Sequence, residues 1–302
     1  MDTEPARRVR CAIDKATRHD ACSSTNRGQA LACPEPCPAS LGAVSELADL
    51  LELAERAAVR GGALVAGEGP APETETKGTG DYVTEVDRAS ERAIREVLGE
   101  GTPDIPVVGE EAGGTGGRRS WVVDPLDGTT NYVHGFPIVG VSVALVESGK
   151  PTVGVVHAPF LGQTFLGARG LGVRVRTVRW EVEARVSGRP IEQAVVGTGF
   201  PFRRKGLLPR YMTVFEACLE RFEDLRRPGA AALDLAWVAA GVFEGFFELG
   251  LAPWDVAAGA LLIEEAGGVV SDWQGGPDYL GGDILAGSPA IHASLLEIAR
   301  HG

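Results

Sequence analysis

Between Ser45 and about Ala66 the apolar residues Leu47, Leu50, Leu51, Ala54, Ala57 and Ala58 recur at the spacing of one helix face. Residues 67–80, GEGPAPETETKGTG, lose that period and read as a flexible loop. Thr84-Glu85-Val86-Asp87 then opens a second helix. A threonine followed three residues later by an acid is a capping-box pattern, and Ala89, Ala93, Ile94, Val97 and Leu98 supply the inward side. Short strands are predicted at 106–109 and 121–123, with a Gly-rich loop between them. Val139–Val146, Pro151–His157 and Gln163–Ala168 are short β-branched runs between Gly/Pro turns, which predicts an antiparallel sheet. Gly172–Val186 alternates valines with charges, as an exposed edge or hairpin would. Further strands are expected at Val195–Thr198, Gly245–Leu249, Val269–Ser271 and Ile284–Ala286. Helices are expected over Pro209–Arg221, Ala230–Gly241, Trp254–Ala266 and 289–300, the third closed by Gly267-Gly268. Helices that precede and alternate with mostly antiparallel strands predict layered α+β packing. Residues 1–40 are Pro-, Ser- and Cys-rich without a period and read as a disordered or non-native leader. A single domain is expected over 41–302, with a metal-site half at 41–185 and a substrate-pocket half at 186–302.

Composition narrows the partners. The 302 residues carry a net charge of −12, so no basic surplus exists to neutralise nucleic-acid phosphates. No apolar run approaches the roughly 20 residues of a membrane helix. Four of the five cysteines, Cys11, Cys22, Cys33 and Cys37, precede residue 40, and only Cys218 follows. No CxxC pair occurs among them, which is poor spacing for zinc. The near absence of cysteine elsewhere suits a reduced, cytoplasmic protein.

The densest chemistry lies in residues 121–131, WVVDPLDGTTN. A strand-like run leads into Asp124 and Asp127, three apart around Pro125, and Gly128, Thr129, Thr130 and Asn131 follow. Carboxylates without histidine or cysteine suit a hard cation such as Mg²⁺. Backbone N–H groups at a glycine turn before a helix suit a phosphate. Metal plus phosphate means phosphoryl chemistry. Asp81, Asp87, Glu110 and Asp255 also stand at element ends, the usual geography of an α/β active site. Each acid has a plainer explanation when taken alone. Asp87 completes a capping box, and Asp255 suits a helix first turn. Glu110-Glu111 suits a solvated turn, and Asp124-Pro-Leu-Asp127 suits an Asx turn. The order GEE, DPLDGTTN, then WD before a helix outweighs those separate explanations. No GxSxG elbow or HExxH pair occurs, and the five histidines are dispersed.

These residues resemble the inositol monophosphatase family, the Mg²⁺-dependent, lithium-sensitive phosphatases. The resemblance runs from about residue 45 to 300. It is carried by Asp81–Asp87, Gly109–Glu111, Asp124–Asn131 through Pro137, Gly229–Asp234, Glu248–Gly250 and Trp254–Gly259. It implies a layered α-β-α-β-α sandwich, a homodimer, and two to three Mg²⁺ ions per site with Mn²⁺ as an alternative. It also implies roles. Glu110, Asp124 and the Leu126 carbonyl resemble ligands of a first cation, and Asp124, Asp127 and Asp255 resemble ligands of a second. Glu110 and Asp87 resemble the residues that hold a third ion through waters. Thr129 with Glu110 resembles the pair that orients the attacking water. Gly128 and Thr129 would offer N–H groups to the phosphate, Glu248 would accept from a substrate hydroxyl, and Gly229 and Ala231 would line that pocket. Three departures stand out: typical members lack the leader, residues 167–186 lack the usual Asn-Gly hairpin, and Ala230 replaces a Ser or Thr.

A cation pair about 3.5–4 Å apart can activate water and stabilise a leaving alkoxide, so no nucleophilic side chain is needed. The expected substrate is a small phosphorylated metabolite, first of all inositol 1-phosphate. Histidinol phosphate, fructose 1,6-bisphosphate and 3′-phosphoadenosine 5′-phosphate are its rivals. For the nucleotide, Trp237 and Phe243 would have to stack on the base, but their character favours the core. For the bisphosphate, Arg226 and Arg227 would have to reach the second phosphate; surface ion pairing is their plainer role. Another class is a catalytically silent metal-binding interaction protein.

Overall fold

The computed structural model describes residues 38–67, 74–78 and 81–301. Helix α1 (Pro38–Gly67) is followed by a short hairpin, β1 (Thr74–Gly78) and β2 (Asp81–Thr84), and by α2 (Glu85–Gly101). Then come β3 (Val107–Gly109), β4 (Arg119–Asp127), α3 (Thr129–Val133), β5 (Gly140–Glu147), β6 (Lys150–Ala158), β7 (Gln163–Ala168), β8 (Gly172–Thr177) and β9 (Glu181–Ala184). The second half holds β10 (Val195–Thr198), α4 (Leu208–Arg221), β11 (Asp224–Arg226), α5 (Ala231–Ala239) and β12 (Gly245–Glu248). It closes with α6 (Pro253–Glu265), β13 (Val269–Ser271), β14 (Ile284–Gly287) and α7 (Pro289–His301).

Strands β3 to β9 form a seven-stranded sheet in chain order, antiparallel except for the β3–β4 pair. The five-stranded sheet has the order β11-β10-β12-β14-β13 and is mixed, because β10 runs parallel to both β11 and β12. Alternating side chains assign each sheet face to a different core. On β5, Val141, Val143 and Leu145 pack with α1 and α2, whereas Ala144 packs with α5 and α6. On β12, Phe246 joins the α5/α6 core, whereas Phe247 packs with α4 and α7. Three cores between five layers give an α-β-α-β-α sandwich. Central strands buried on both faces, such as β5, read as continuous apolar runs, whereas β8 near the sheet edge keeps its alternation of valines and charges.

The boundaries differ from expectation at a few places. Helix α1 begins at Pro38, ahead of Ser45. The stretch read as loop over 67–80 contains β1, which pairs antiparallel with β2. The leader reading and its four cysteines fall on residues 1–37 for the most part, outside the described residues. At the sheet edge, β8 and β9 do form a hairpin. Thr177 Oγ1 accepts from the Arg179 and Trp180 N–H groups at 3.2 and 3.1 Å and so closes the turn without Asn-Gly. Among the described residues no helix is long and apolar enough to cross a membrane.

Candidate active site

Asp124 and Asp127 are three apart on β4, and in a regular strand they would point to opposite faces. The register resolves this. Asp124 pairs with Ser142 and Asp127 with Gly140, so β4 advances three residues while β5 advances two. That extra residue is a bulge, and it turns both carboxylates to one side. Pro125 sits in it and has no N–H to leave unpaired. The Leu126 N–H donates to Asp124 Oδ1 at 2.9 Å, and Ser90 Oγ of α2 donates to the Pro125 carbonyl at 2.9 Å. Gly128 ends the motif at φ +87°, where a Cβ would lie 3.0 Å from the Ile138 carbonyl oxygen. Glycine is therefore required there.

Helix α2 supplies the back of the site. Thr84 is its N-cap and Asp87 completes the capping box. Asp87 Oδ2 accepts from the Thr84 N–H and hydroxyl at 2.7 and 2.5 Å. Its other oxygen lies 3.2 Å from the Thr129 hydroxyl, which is also 3.1 Å from the Leu126 carbonyl. Asp87 thus caps a helix, as its plainer explanation had it, and also meets Thr129, a contact the sequence did not announce. It stands behind Thr129, away from the cavity lining. Glu110 follows β3 and lines the cavity.

The other wall comes from the second sheet. Asp127 Oδ1 and Oδ2 accept from the Ala231 and Ala232 N–H groups at 3.2 and 2.8 Å, the first turn of α5. Asp127 thereby caps α5 from another element, which accounts for a helix start at Ala230 with no side-chain cap of its own. Asp255 lies in the first turn of α6 and accepts from the Ala252 N–H at 2.7 Å. Glu248 ends β12, and Gly199 leaves room for its carboxylate, which any side chain there would strike. Gly229 and Ala231 line the same cavity.

The cavity holds about 290 Å³, and at its floor Asp124, Asp127 and Asp255 offer oxygens all within 4.8 Å of one another. Burial, then repulsion from Glu110, Asp127 and Asp255, pushes the Asp124 carboxyl well above its ordinary range. Burial and Asp255 raise Asp127 from 3.8 to about 7. Asp255 and Asp87 are raised chiefly by burial, as is Glu248, which Asp255 also opposes. Buried like charges at this spacing need a proton or a cation between them. An all-oxygen donor set fits a hard divalent ion, so the residues present suit Mg²⁺ or Mn²⁺.

Sequence reasoning passed over Arg203 and Arg204, which line the cavity together with Arg227. The Arg227 guanidinium lies 5.4 Å from the ring centres of both Phe200 and Phe202. Of the two arginines weighed earlier, Arg226 does pair at the surface, with Asp224, but Arg227 faces the cavity. Trp237 and Phe243 pack edge to face in the core. Asp234 is buried in the cavity wall with one carboxylate oxygen unpartnered, and burial raises its pKa well above the ordinary value. Its place in Gly229–Asp234 was legible, its environment was not.

A five-layer α+β sandwich with acids from strand ends and helix starts gathered around one cavity, where they could hold a hard cation, defines the class of protein. The profile of the inositol monophosphatase family matches residues 46–301, and the chain belongs to that family. It is 41% identical over 258 residues to "Nus factor SuhB" of Escherichia coli strain K12, covering 83% of this chain and 96% of that relative. It is 40% identical over 262 residues to the "Fructose-1,6-bisphosphatase/inositol-1-monophosphatase" of Aquifex aeolicus, covering 85% of this chain and 97% of that protein. The solved inositol monophosphatase of Anabaena superposes with a TM-score of 0.76 at 35% identity, over 85% of this chain and 97% of the other.

Proposed function

We propose that this protein hydrolyses a small phosphate monoester, inositol 1-phosphate or a related polyol phosphate, with Mg²⁺ as cofactor. The observation that carries the reading is the trio Asp124, Asp127 and Asp255, the first two buried and the third half-buried, gathered on one cavity lining that also holds Glu248. Glu110, Asp124 and the Leu126 carbonyl would hold a first cation, Asp124, Asp127 and Asp255 a second, and Glu110 with Asp87 a weaker third. Bound cations would activate water and stabilise charge on the leaving oxygen. Thr129, held between Asp87 and Leu126, and Glu110 would orient the attacking water. The N–H groups of Gly128 and Thr129 would receive phosphate oxygens. Glu248 would accept from a leaving-group hydroxyl, with Gly229 and Ala231 beside it. A cytoplasmic homodimer accompanies this reading.

The test is phosphate release from inositol 1-phosphate, histidinol phosphate, fructose 1,6-bisphosphate and 3′-phosphoadenosine 5′-phosphate, each with and without EDTA. EDTA-sensitive release with a preference for the polyol ester supports the reading. Asp124→Asn should lower turnover by about two orders of magnitude or more, with circular dichroism unchanged. Full activity in that variant would falsify the two-cation assignment. The name Nus factor on a relative supports a second reading, association in place of turnover. Normal Mg²⁺ binding with no release from any ester would favour it.

A further inference from the structure

Glu91 belongs to no motif, yet its side chain is only 2% exposed and its carboxylate is fully engaged. Oε2 accepts from the Glu111 N–H at 2.8 Å, and Oε1 accepts from the Ala112 N–H at 3.2 Å. Arg95, one turn further along α2, donates from Nε to Glu91 Oε1 at 2.7 Å. The other two nitrogens of the same guanidinium donate to the carbonyls of Val107 at 2.9 Å and Gly113 at 2.5 Å. The pair therefore ties together the first residue of β3, the middle of the turn after it and the end of that turn. Gly109 completes the fit, because a side chain there would strike the Glu91 carboxylate. Glu110 is carried by that turn. Outside it, the Glu110 N–H donates to the Val123 carbonyl at 3.3 Å, a long bond.

The same helix reaches the site twice more, at Asp87 to Thr129 and at Ser90 to the Pro125 carbonyl. Asp87, Ser90, Glu91 and Arg95 fall on one side of α2 at the three- and four-residue spacings of a helix face. A planar fork with three bonds at fixed angles locates a backbone segment better than a lysine's single point charge does.

We propose that Glu91 and Arg95 are positioning residues that set the site's affinity for Mg²⁺ by fixing the backbone that carries Glu110. This rests on the reading of Glu110 as a cation ligand. Partners one layer behind a metal ligand typically change metal affinity by about 10- to 100-fold when removed. Neither residue lines the cavity.

The test is calorimetric titration of the full chain with Mg²⁺ alone, for wild type, Glu91→Gln, Arg95→Lys and Glu110→Gln. Thermal unfolding in EDTA serves as the fold check. Glu91→Gln and Arg95→Lys should each raise the Kd for Mg²⁺ about tenfold or more. In phosphate release, most of their lost turnover should return as Mg²⁺ is raised. A purely structural role would lower the melting temperature and leave Kd in place; that result overturns the inference. If Glu91→Gln does not fold, Arg95→Lys, which keeps the charge, decides in the same way. An unchanged Kd in Glu110→Gln sinks the ligand reading itself, separately from the positioning claim.

Discussion

Asp127 meets two demands with one carboxylate: it accepts from the first N–H groups of α5 and shares the cavity floor with Asp124 and Asp255. Burial and Asp255 raise its pKa from 3.8 to about 7, so the metal-free fold binds this proton more tightly than the unfolded chain does. The sign follows from linkage: stability is greatest while the group is protonated and falls as pH rises through about 7. The melting temperature in EDTA should therefore drop between about pH 4 and pH 7 and level off above, and Mg²⁺ should offset the drop by replacing the proton. A flat or rising profile in EDTA would count against repulsion within the trio. Gly199 offers a second test at this scale. Gly199→Ala would push on the Glu248 carboxylate and should raise KM more than it lowers kcat for a polyol ester. Asp124 and Asp127 were legible as candidates because two acids around a proline at a strand end already suit a hard cation, and Asp255 joined them through the resemblance; the structure brings the three together. Arg227 was not, since nothing local separates a cavity arginine from its surface neighbour Arg226.

Among the elements, α2 was legible at its start and hidden at its middle. Thr84 to Asp87 is a three-residue relation, so the capping box could be read directly and is present. Thr84→Ala removes that cap and should cost about 1 kcal/mol in urea unfolding. It should also lower turnover, because Asp87 would lose the partner that orients it toward Thr129. Turnover unchanged despite the stability loss would separate the cap from the site. Ser90 and Glu91 answer to residues 35 and about 20 positions away, and no local pattern encodes such a bond. Strand β1 escaped because Thr74–Gly78 has no apolar alternation, and β11 because Asp-Leu-Arg is short and polar. The bulge in β4 was equally invisible, although Pro125 between two acids fits it once seen. The layered α+β class could be foretold because caps, turns and β-branched runs agree along most of the chain; the mixed pairing of β10 depends on contacts across the sheet.

At the scale of the whole molecule, the site exists because five layers hold elements from both halves at one place. Helix α6 is apolar nearly all round and lies between the two sheets, and its first turn carries Asp255. Its seat on the first sheet is close: a Cβ on Gly154 of β6 would lie 2.9 Å from the Ala258 carbonyl oxygen and 3.1 Å from its Cα. Both neighbours are backbone, so Gly154→Ala can be accommodated only by moving the helix or bending the strand. The helix is also held from its other side, where a Cβ on Gly259 would strike the Leu235 side chain of α5. The expected result is a loss of about 1–3 kcal/mol in urea unfolding. A weaker Mg²⁺ affinity should come with it, since Asp255 would shift against Asp124 and Asp127, which stay with β4. Gly99→Ala in α2 is the control: nothing lies within 4 Å of a Cβ there, and stability should hold or rise slightly. If Gly154→Ala loses stability but binds Mg²⁺ like wild type, the sheet has absorbed the strain and α6 has kept Asp255 in place. If both fall together, the spacing between layers is what sets the spacing between carboxylates.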